Sequence, residues 1–468
     1  MPFILGVRLR ALVLFALIPS VSIASDSDDD DRKSRRSSKS FRSSQSSESL
    51  RSLIQSHDVD AVDTPEQNPK HVALGRLLFF DRIICGNQDT ACATCHHPLT
   101  NTTDSLALGV GTGSPSVNEV GIFRVRGEER EFIPRNAPDL FNRGSVHWTS
   151  MFWDSRVSTE SGVVVSPAGD ALPGELQLPL QIQAMFPPTS RDEMRGSHGD
   201  VFAGNEIAAV ADDNFRGIWE AIFNRIIAIE EYQELFLEAF PDVDVNDLGF
   251  QHAAIALAAF ETEAFGMNDS PFDQFLRGDN QAMSPAAKRG AKLFFGKASC
   301  VDCHSGTLLT DQLHHNLAVP QLGPGKNPLT GLDVGRAVVT GDAADEFAFR
   351  TPALRNVAAT GPWMHNGACS SLEDVILHHL EPDDMLEDYS PRQQLLQVDL
   401  HSTVVTDEDL QEVMLDGSEQ VDVDLDRREI RDLIEFLHSL TAPDLSARLQ
   451  VLIPDSVPSG KLEDGSGQ

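Results

Sequence analysis

The sequence predicts a mainly α-helical protein of two tandem domains, and three observations carry that prediction. Apolar residues recur at spacings of three and four through NFRGIWEAIFNRIIAIEEYQELFLEAF (214–240), HAAIALAAFETEAF (252–265) and REIRDLIEFLHSL (428–440). That is the period of helices with one buried face. A Cys-x-x-Cys-His motif occurs twice, as CATCH at 92–96 and CVDCH at 300–304. The stretch ahead of each motif also repeats, LGRLLFFD (74–81) before the first and RGAKLFFG (289–296) before the second. Each reads as a short amphipathic helix that presents Leu and Phe to an apolar neighbour. Strand patterns are scarce.

In chain order, the first 24 residues stand apart. Arg8 and Arg10 precede the apolar run ALVLFALIPSVSIA, which closes on Ser22-Ile23-Ala24, the pattern of a secretory signal peptide. Broken by Pro19, this run falls short of the about 20 apolar residues that a spanning helix needs, and no later segment reaches that length. No stable membrane insertion is therefore expected. Residues 25–58, dominated at first by Ser, Asp and Arg, read as a disordered leader. The N-terminal domain is expected over 59–270 and the C-terminal domain over 271–458, with the boundary in GMNDSPFDQFLRGDNQA (266–282) and a tail at 459–468. The formal charge is −34, and removal of two signal arginines takes it from −34 to −36. Such acidity argues against nucleic acid as a partner.

Cys-x-x-Cys-His is the spacing for covalent haem c. Two thiols form thioethers to the porphyrin edge, and the adjacent imidazole becomes an iron ligand. The assignment gives Cys92, Cys95 and His96 to one haem and Cys300, Cys303 and His304 to a second. A zinc ribbon made from both cysteine pairs would leave both following histidines coincidental. The Gly- and Pro-rich loops GVGTGSPS (109–116) and VPQLGPGKNPLTG (319–331) are expected to wrap the haem edges. The remaining cysteines, Cys85 and Cys369, either pair as a disulfide, which export permits, or stand as two separate buried thiols.

LGRLLFFD, CATCH, PRNAPDLFN (134–142), FWDSR (152–156), DSPFDQFLRG (269–278), the second haem motif and FRTPALRNVAATGPWMHNGACSSLEDVI (349–376) follow one another in this order. With them the sequence resembles the bacterial dihaem cytochrome c peroxidases and their MauG and MbnH-like relatives, from about residue 62 to 458. The resemblance implies two cytochrome c-like domains, with a peroxide-reactive N-terminal haem and an electron-transfer C-terminal haem. It implies that Trp153 lies between the haems. It also places a calcium ion at Asn136, Thr360 and Pro362, an amide oxygen and two backbone carbonyls suited to a hard cation. Gln183, Pro187 and Glu193 match the family's Q-x3-P-x5-E-M pattern, which makes Glu193 the acid–base residue for peroxide, with Gln183 and Pro187 beside it. His365, in WMHNG, corresponds to a histidine lining the first haem pocket.

Two departures from the family pattern matter. Gated members carry a distal histidine in the loop after the first haem motif, and here that position falls on Thr112. No histidine occurs between His97 and His147, and His97 adjoins the proximal His96. The first iron is therefore expected to stay open, the MauG-like condition. At the second iron the distal position, Met in peroxidases and Tyr in MauG-like members, falls on His379, with Met364 and His378 as rivals.

The sequence accordingly points to an exported, periplasmic or surface-associated dihaem peroxidase that reduces hydrogen peroxide. Its electrons would come from a small cytochrome c or cupredoxin through the second haem. One alternative uses peroxide-derived oxidising equivalents on the haems to oxidise a residue, such as Trp, of a partner protein. Another is a non-catalytic electron-transfer cytochrome.

Overall fold

The repeated stretches build the same crossing twice. Seven helices of eight or more residues build and surround these crossings: α1 (Pro69–Phe80), α2 (Phe215–Ile227), α3 (Glu230–Ala239), α4 (Phe250–Ala264), α5 (Pro285–Lys292), α6 (Leu372–Leu380) and α7 (Arg427–His438). This computed structural model describes residues 45–327 and 329–466. The expected signal peptide and residues 25–44 of the leader lie outside them.

Helix α1 starts where Asn68 accepts from the Lys70 N–H and Pro69 takes the first position, an N-cap followed by the residue that needs no amide partner. Its buried face, including Leu74, Leu78 and Phe79, lies against α4. At the crossing a Cβ on Gly75 would come within 1.9 Å of the Ala256 carbonyl oxygen. In the second copy α5 crosses α7, and a Cβ on Gly290 would meet the Asp432 carbonyl oxygen at 1.8 Å. Only glycine permits so close an approach. The aromatic contacts repeat as well: Phe79 meets Phe260 at 5.2 Å and Phe294 meets Phe436 at 5.0 Å.

Two hydrophobic cores follow from these crossings. One gathers α1, α2, α3 and α4 around Phe79, Ile222, Phe236 and Leu257. The other gathers α5 and α7 around Phe272, Phe295 and Leu433. The apolar pattern over 214–240 is interrupted after Ile227. Helix α3 restarts at Glu230, with two glutamates in its first turn complementing the helix dipole. The change of direction lets Ile222 and Ile226 of α2 and Tyr232 and Phe236 of α3 share one core.

The two ends of the described chain depart from expectation. The disordered leader expected to residue 58 is corrected at its end, because residues 45–55 are helical. Leu50 and Ile54, four apart, are buried in the second core together with Val59. At the other end, Ala442, Leu445, Leu449 and Val457 join the first core. The last segment bridges Asp81 to Leu462 and places the Glu463 carboxylate 2.7 Å from the Thr94 hydroxyl inside the first haem motif.

Two short antiparallel pairs frame the middle of the molecule. β1 (Ser150–Met151) pairs with β2 (Val157–Ser158), enclosing FWDSR, and β3 (His314–Asn316) pairs with β4 (Ala348–Arg350). The Arg350 N–H donates to the Trp153 carbonyl at 2.8 Å and joins the two. A fully buried ion pair, Arg355 Nη1 to Asp273 Oδ1 at 2.7 Å, ties the boundary segment to the LRN stretch. Among the described residues no helix is long and apolar enough to cross a membrane.

Candidate active site

The first haem motif opens onto a cavity whose wall comes from eight separated parts of the chain. Cys92, Cys95 and His96 share it with Gln183, Pro187 and Glu193, with Asn136 and Trp153, with Leu257 and Glu261 of α4, and with Lys326 and Arg350. Gly109 and Lys326 bring both Gly-rich loops to this wall.

His96 is held for ligation. Its Nδ1 lies 3.0 Å from the Thr102 carbonyl oxygen. A carbonyl can only accept, so Nδ1 carries the proton and Nε2 is left to bind a metal. Burial pushes its pKa down to about 4, which keeps the ring neutral, the ligating form. The second motif repeats the device, with His304 Nδ1 3.1 Å from the Leu309 carbonyl oxygen. The buried Arg350 Nη1 in the cavity wall has no hydrogen-bond partner among the described residues. A haem, with its propionates, answers each of these features, and the residues present fit covalent haem c.

Glu193 owes its place to a tightly pinned turn. Gln183 ends the short helix Pro179–Gln183, Pro187 opens the next turn, and Glu193 sits in the wide helical turn Arg191–Arg195. Fully buried Arg195 anchors that turn through Asp212 at 2.7 Å and the Val210 carbonyl. Burial raises the Glu193 pKa above its ordinary value, while Lys326 and Arg156 oppose the rise. Thr112, the position of the gated family's ligand, does not line the cavity. Its N–H donates to the Glu193 carbonyl at 2.9 Å, and its hydroxyl donates to Asp89 at 2.8 Å.

Trp153 is fixed by an indole N–H donated to the Asn136 carbonyl at 3.0 Å. Behind it, buried Arg135 spans Asp333, bonded twice at 2.7 and 2.8 Å, and Asp154 at 2.6 Å. Arg156 also holds Asp154 and lies 3.5 Å over the Phe152 ring. Asn136 donates its amide to the Leu106 carbonyl at 2.7 Å. Its Oδ1 and the carbonyls of Thr360 and Pro362 accept no hydrogen bond among the described residues.

His365 is not in the cavity wall. It is buried, stacked 3.5 Å from Phe349, and its carbonyl accepts from Asn136 N–H at 2.8 Å, one layer behind the cavity. At the second motif, His379 Nδ1 donates to the Val375 carbonyl one turn back in α6, at 2.7 Å, leaving Nε2 available. His378 spends Nε2 on the Leu317 carbonyl at 2.7 Å. Met364 packs with Leu106, Phe132 and Leu322, a cluster separate from the one against which Cys300 packs. The disulfide expected as one alternative is corrected: Cys85 and Cys369 are both free and buried. The Cys85 thiol is engaged by Asp89 at 3.2 Å, and Cys369 pairs through its backbone with Trp363.

Residue-by-residue reading passed over Lys326, Arg156 and Arg350. Arg156 lies in FWDSR and Arg350 in FRTPALRN, but Lys326 sits in a loop whose composition signals only a turn.

A family model, di-haem cytochrome c peroxidase, matches residues 69–281. The chain is 28% identical over 399 residues to the methylamine utilization protein MauG of Methylorubrum extorquens, covering 84% of this chain and 85% of that protein. It is 28% identical over 320 residues to the cytochrome c551 peroxidase of Pseudomonas aeruginosa, covering 67% and 74%. The fold matches a solved MauG-like protein associated with microbial copper homeostasis at a TM-score of 0.55 and 25% identity, covering 83% of this chain and 95% of that one. Added to the paired haem motifs, these likenesses support membership of the di-haem cytochrome c peroxidase and MauG family, oxidoreductases that act on peroxide.

Proposed function

We propose that this is an exported dihaem peroxidase that reduces hydrogen peroxide at the N-terminal haem, with electrons relayed from the C-terminal haem domain. The two domains are read as 59–270 and 271–458. A haem at each motif supplies the iron for peroxide reduction and for one-electron transfer. The observation that carries the reading is that Glu193, Gln183 and Pro187 line the same cavity as His96, Cys92 and Cys95.

In this reading the Glu193 carboxylate takes the proton from one peroxide oxygen and returns it to the other, so that water can leave. Gln183 and Pro187 shape the space beside it. Reduction of peroxide to two waters consumes two electrons and two protons, while a small cytochrome c or cupredoxin donates electrons singly. Trp153, pinned by Asn136, serves as the relay. Trp148 is less suited, because guanidinium groups of Arg143 and Arg350 lie 4.6 and 4.8 Å from its ring and disfavour positive charge on the indole. His379 is the second iron's distal ligand, which leaves Met364 to its packing. Asn136, Thr360 and Pro362 hold a calcium ion. The periplasm is the site of action.

A second reading has one observation in its favour. The Thr112 loop is bonded to the back of Glu193 and offers no imidazole to block the first iron. An ungated iron suits an enzyme that oxidises a residue of a partner protein, as the MauG reading requires.

The test is Glu193→Gln. The reaction of the oxidised protein with peroxide is expected to slow by about 10²-fold or more. The parent's rate should fall as pH drops through a raised carboxylate pKa, and that acid limb should vanish in the variant. A variant with full rate and an unchanged pH profile removes Glu193 from the role. Absence of turnover with any reduced donor, and of partner oxidation, would return the protein to plain electron transfer.

A further inference from the structure

The cavity wall holds four basic side chains besides Arg350, and three of them are already paired. Arg135 is held by Asp154 and Asp333, Arg156 by Asp154, and Arg143 by Asp139. Lys326 differs. It lines the cavity, and among the described residues its ammonium makes no hydrogen bond or ion pair. The charged groups that act on it are the acids Glu193, Asp192 and Asp154 and the bases Arg156 and Arg135.

No polar contact of the Lys326 ammonium ties its loop to the fold. The loop is closed by its own backbone, Gly325 N–H to the Gly331 carbonyl at 2.8 Å and Asn327 N–H to the Leu332 carbonyl at 3.0 Å. It is anchored by Asp333 on Arg135. A lysine carried into a cavity without a partner loses part of its hydration and gains no ion pair in return. Burial lowers its pKa to about 8, which still leaves it mainly cationic at neutral pH.

We propose that Lys326 is a specificity-determining residue that gives this cavity its affinity for small inorganic anions, the hydroperoxide anion among them. The inference rests on the reading of the cavity as the peroxide site and adds a charge to it. Glu193 moves the proton, and Lys326 adds attraction that draws an anion to the open face against the negative charge of Glu193.

The test is an optical titration of the oxidised holoprotein near pH 7.5, where imidazole is mostly neutral and Lys326 still mostly cationic, with fluoride and separately with imidazole, following the first haem. Wild type, Lys326→Met and Lys326→Arg are compared. Lys326→Met is expected to lose about tenfold or more in fluoride affinity. Lys326→Arg should stay within about twofold of wild type, and imidazole affinity should be unchanged in all three. Fluoride affinity unchanged in Lys326→Met, with imidazole still binding, overturns the proposal and leaves the peroxide-site reading standing. Equal loss of fluoride and imidazole in Lys326→Met also overturns it, because cavity shape rather than charge would be responsible. A wild type that binds neither ligand defeats the open-site reading itself, and this proposal with it.

Discussion

Replacing Arg135 with Met removes the cation that joins the two halves behind Trp153. Three carboxylate contacts disappear, two to Asp333 and one to Asp154, all with side chains 6% exposed or less. Asp154 keeps Arg156 at 3.0 Å, so Asp333 is the group left behind, with only the Gly335 N–H at 3.1 Å. Breaking a buried pair from one side costs about 3–5 kcal/mol. Because one of two acids retains a cation, the expected loss is about 3 kcal/mol. The assay is guanidinium denaturation followed by both the haem band and tryptophan fluorescence, at several pH values. Burial alone would raise both carboxyls, but Arg156 and Arg135 hold Asp154 below its ordinary value, and Arg135 does the same for Asp333. A carboxylate with a depressed folded pKa contributes stability above its unfolded value of about 3.9, and that stability is lost as pH falls toward the folded value. The gap between wild type and Arg135→Met should therefore be full at pH 7 and narrow below about pH 4. A loss under about 1 kcal/mol at neutral pH, or a gap that stays constant into acid, would refute this reasoning.

Gly290→Ala puts a methyl 1.8 Å from the Asp432 carbonyl oxygen, so α5 and α7 must part, at a cost of about 1–3 kcal/mol or more. A lowered melting temperature checks this, and an unchanged one means the crossing is looser than described. His379→Met should exchange the electron paramagnetic resonance signal of a bis-histidine haem for that of a His/Met haem and raise the second haem's potential. A spectrum identical to wild type would assign the distal position to another residue.

Both cores were legible because their signals are local. GRLLFF and GAKLFF each place a glycine and two phenylalanines at fixed spacing ahead of a haem motif, and helical periodicity marks the partners they cross. Glu193 and Trp153 were legible through their motifs. The helix over 45–55 was hidden by a Ser-rich composition, since Leu50 and Ile54 are too few to outweigh it before the core they enter is known. The return of Leu445 and Leu449 to the first core, and of Glu463 to the first haem motif, depends on a fold already made. Lys326 and Arg350 reach the cavity from loops and strands more than 200 residues beyond CATCH. Only tertiary structure brings such groups together, and local pattern carries no trace of it.

The most direct measurement mixes the fully oxidised protein with one equivalent of hydrogen peroxide in a stopped-flow spectrophotometer. Thr112, which the family resemblance sets at the gating position, is bonded to Asp89 and does not line the cavity, so the haem bands should change at once, with no prior reduction. Bands that stay silent until one haem is reduced would mean that a ligand closes the first iron, and the open-site account would fail.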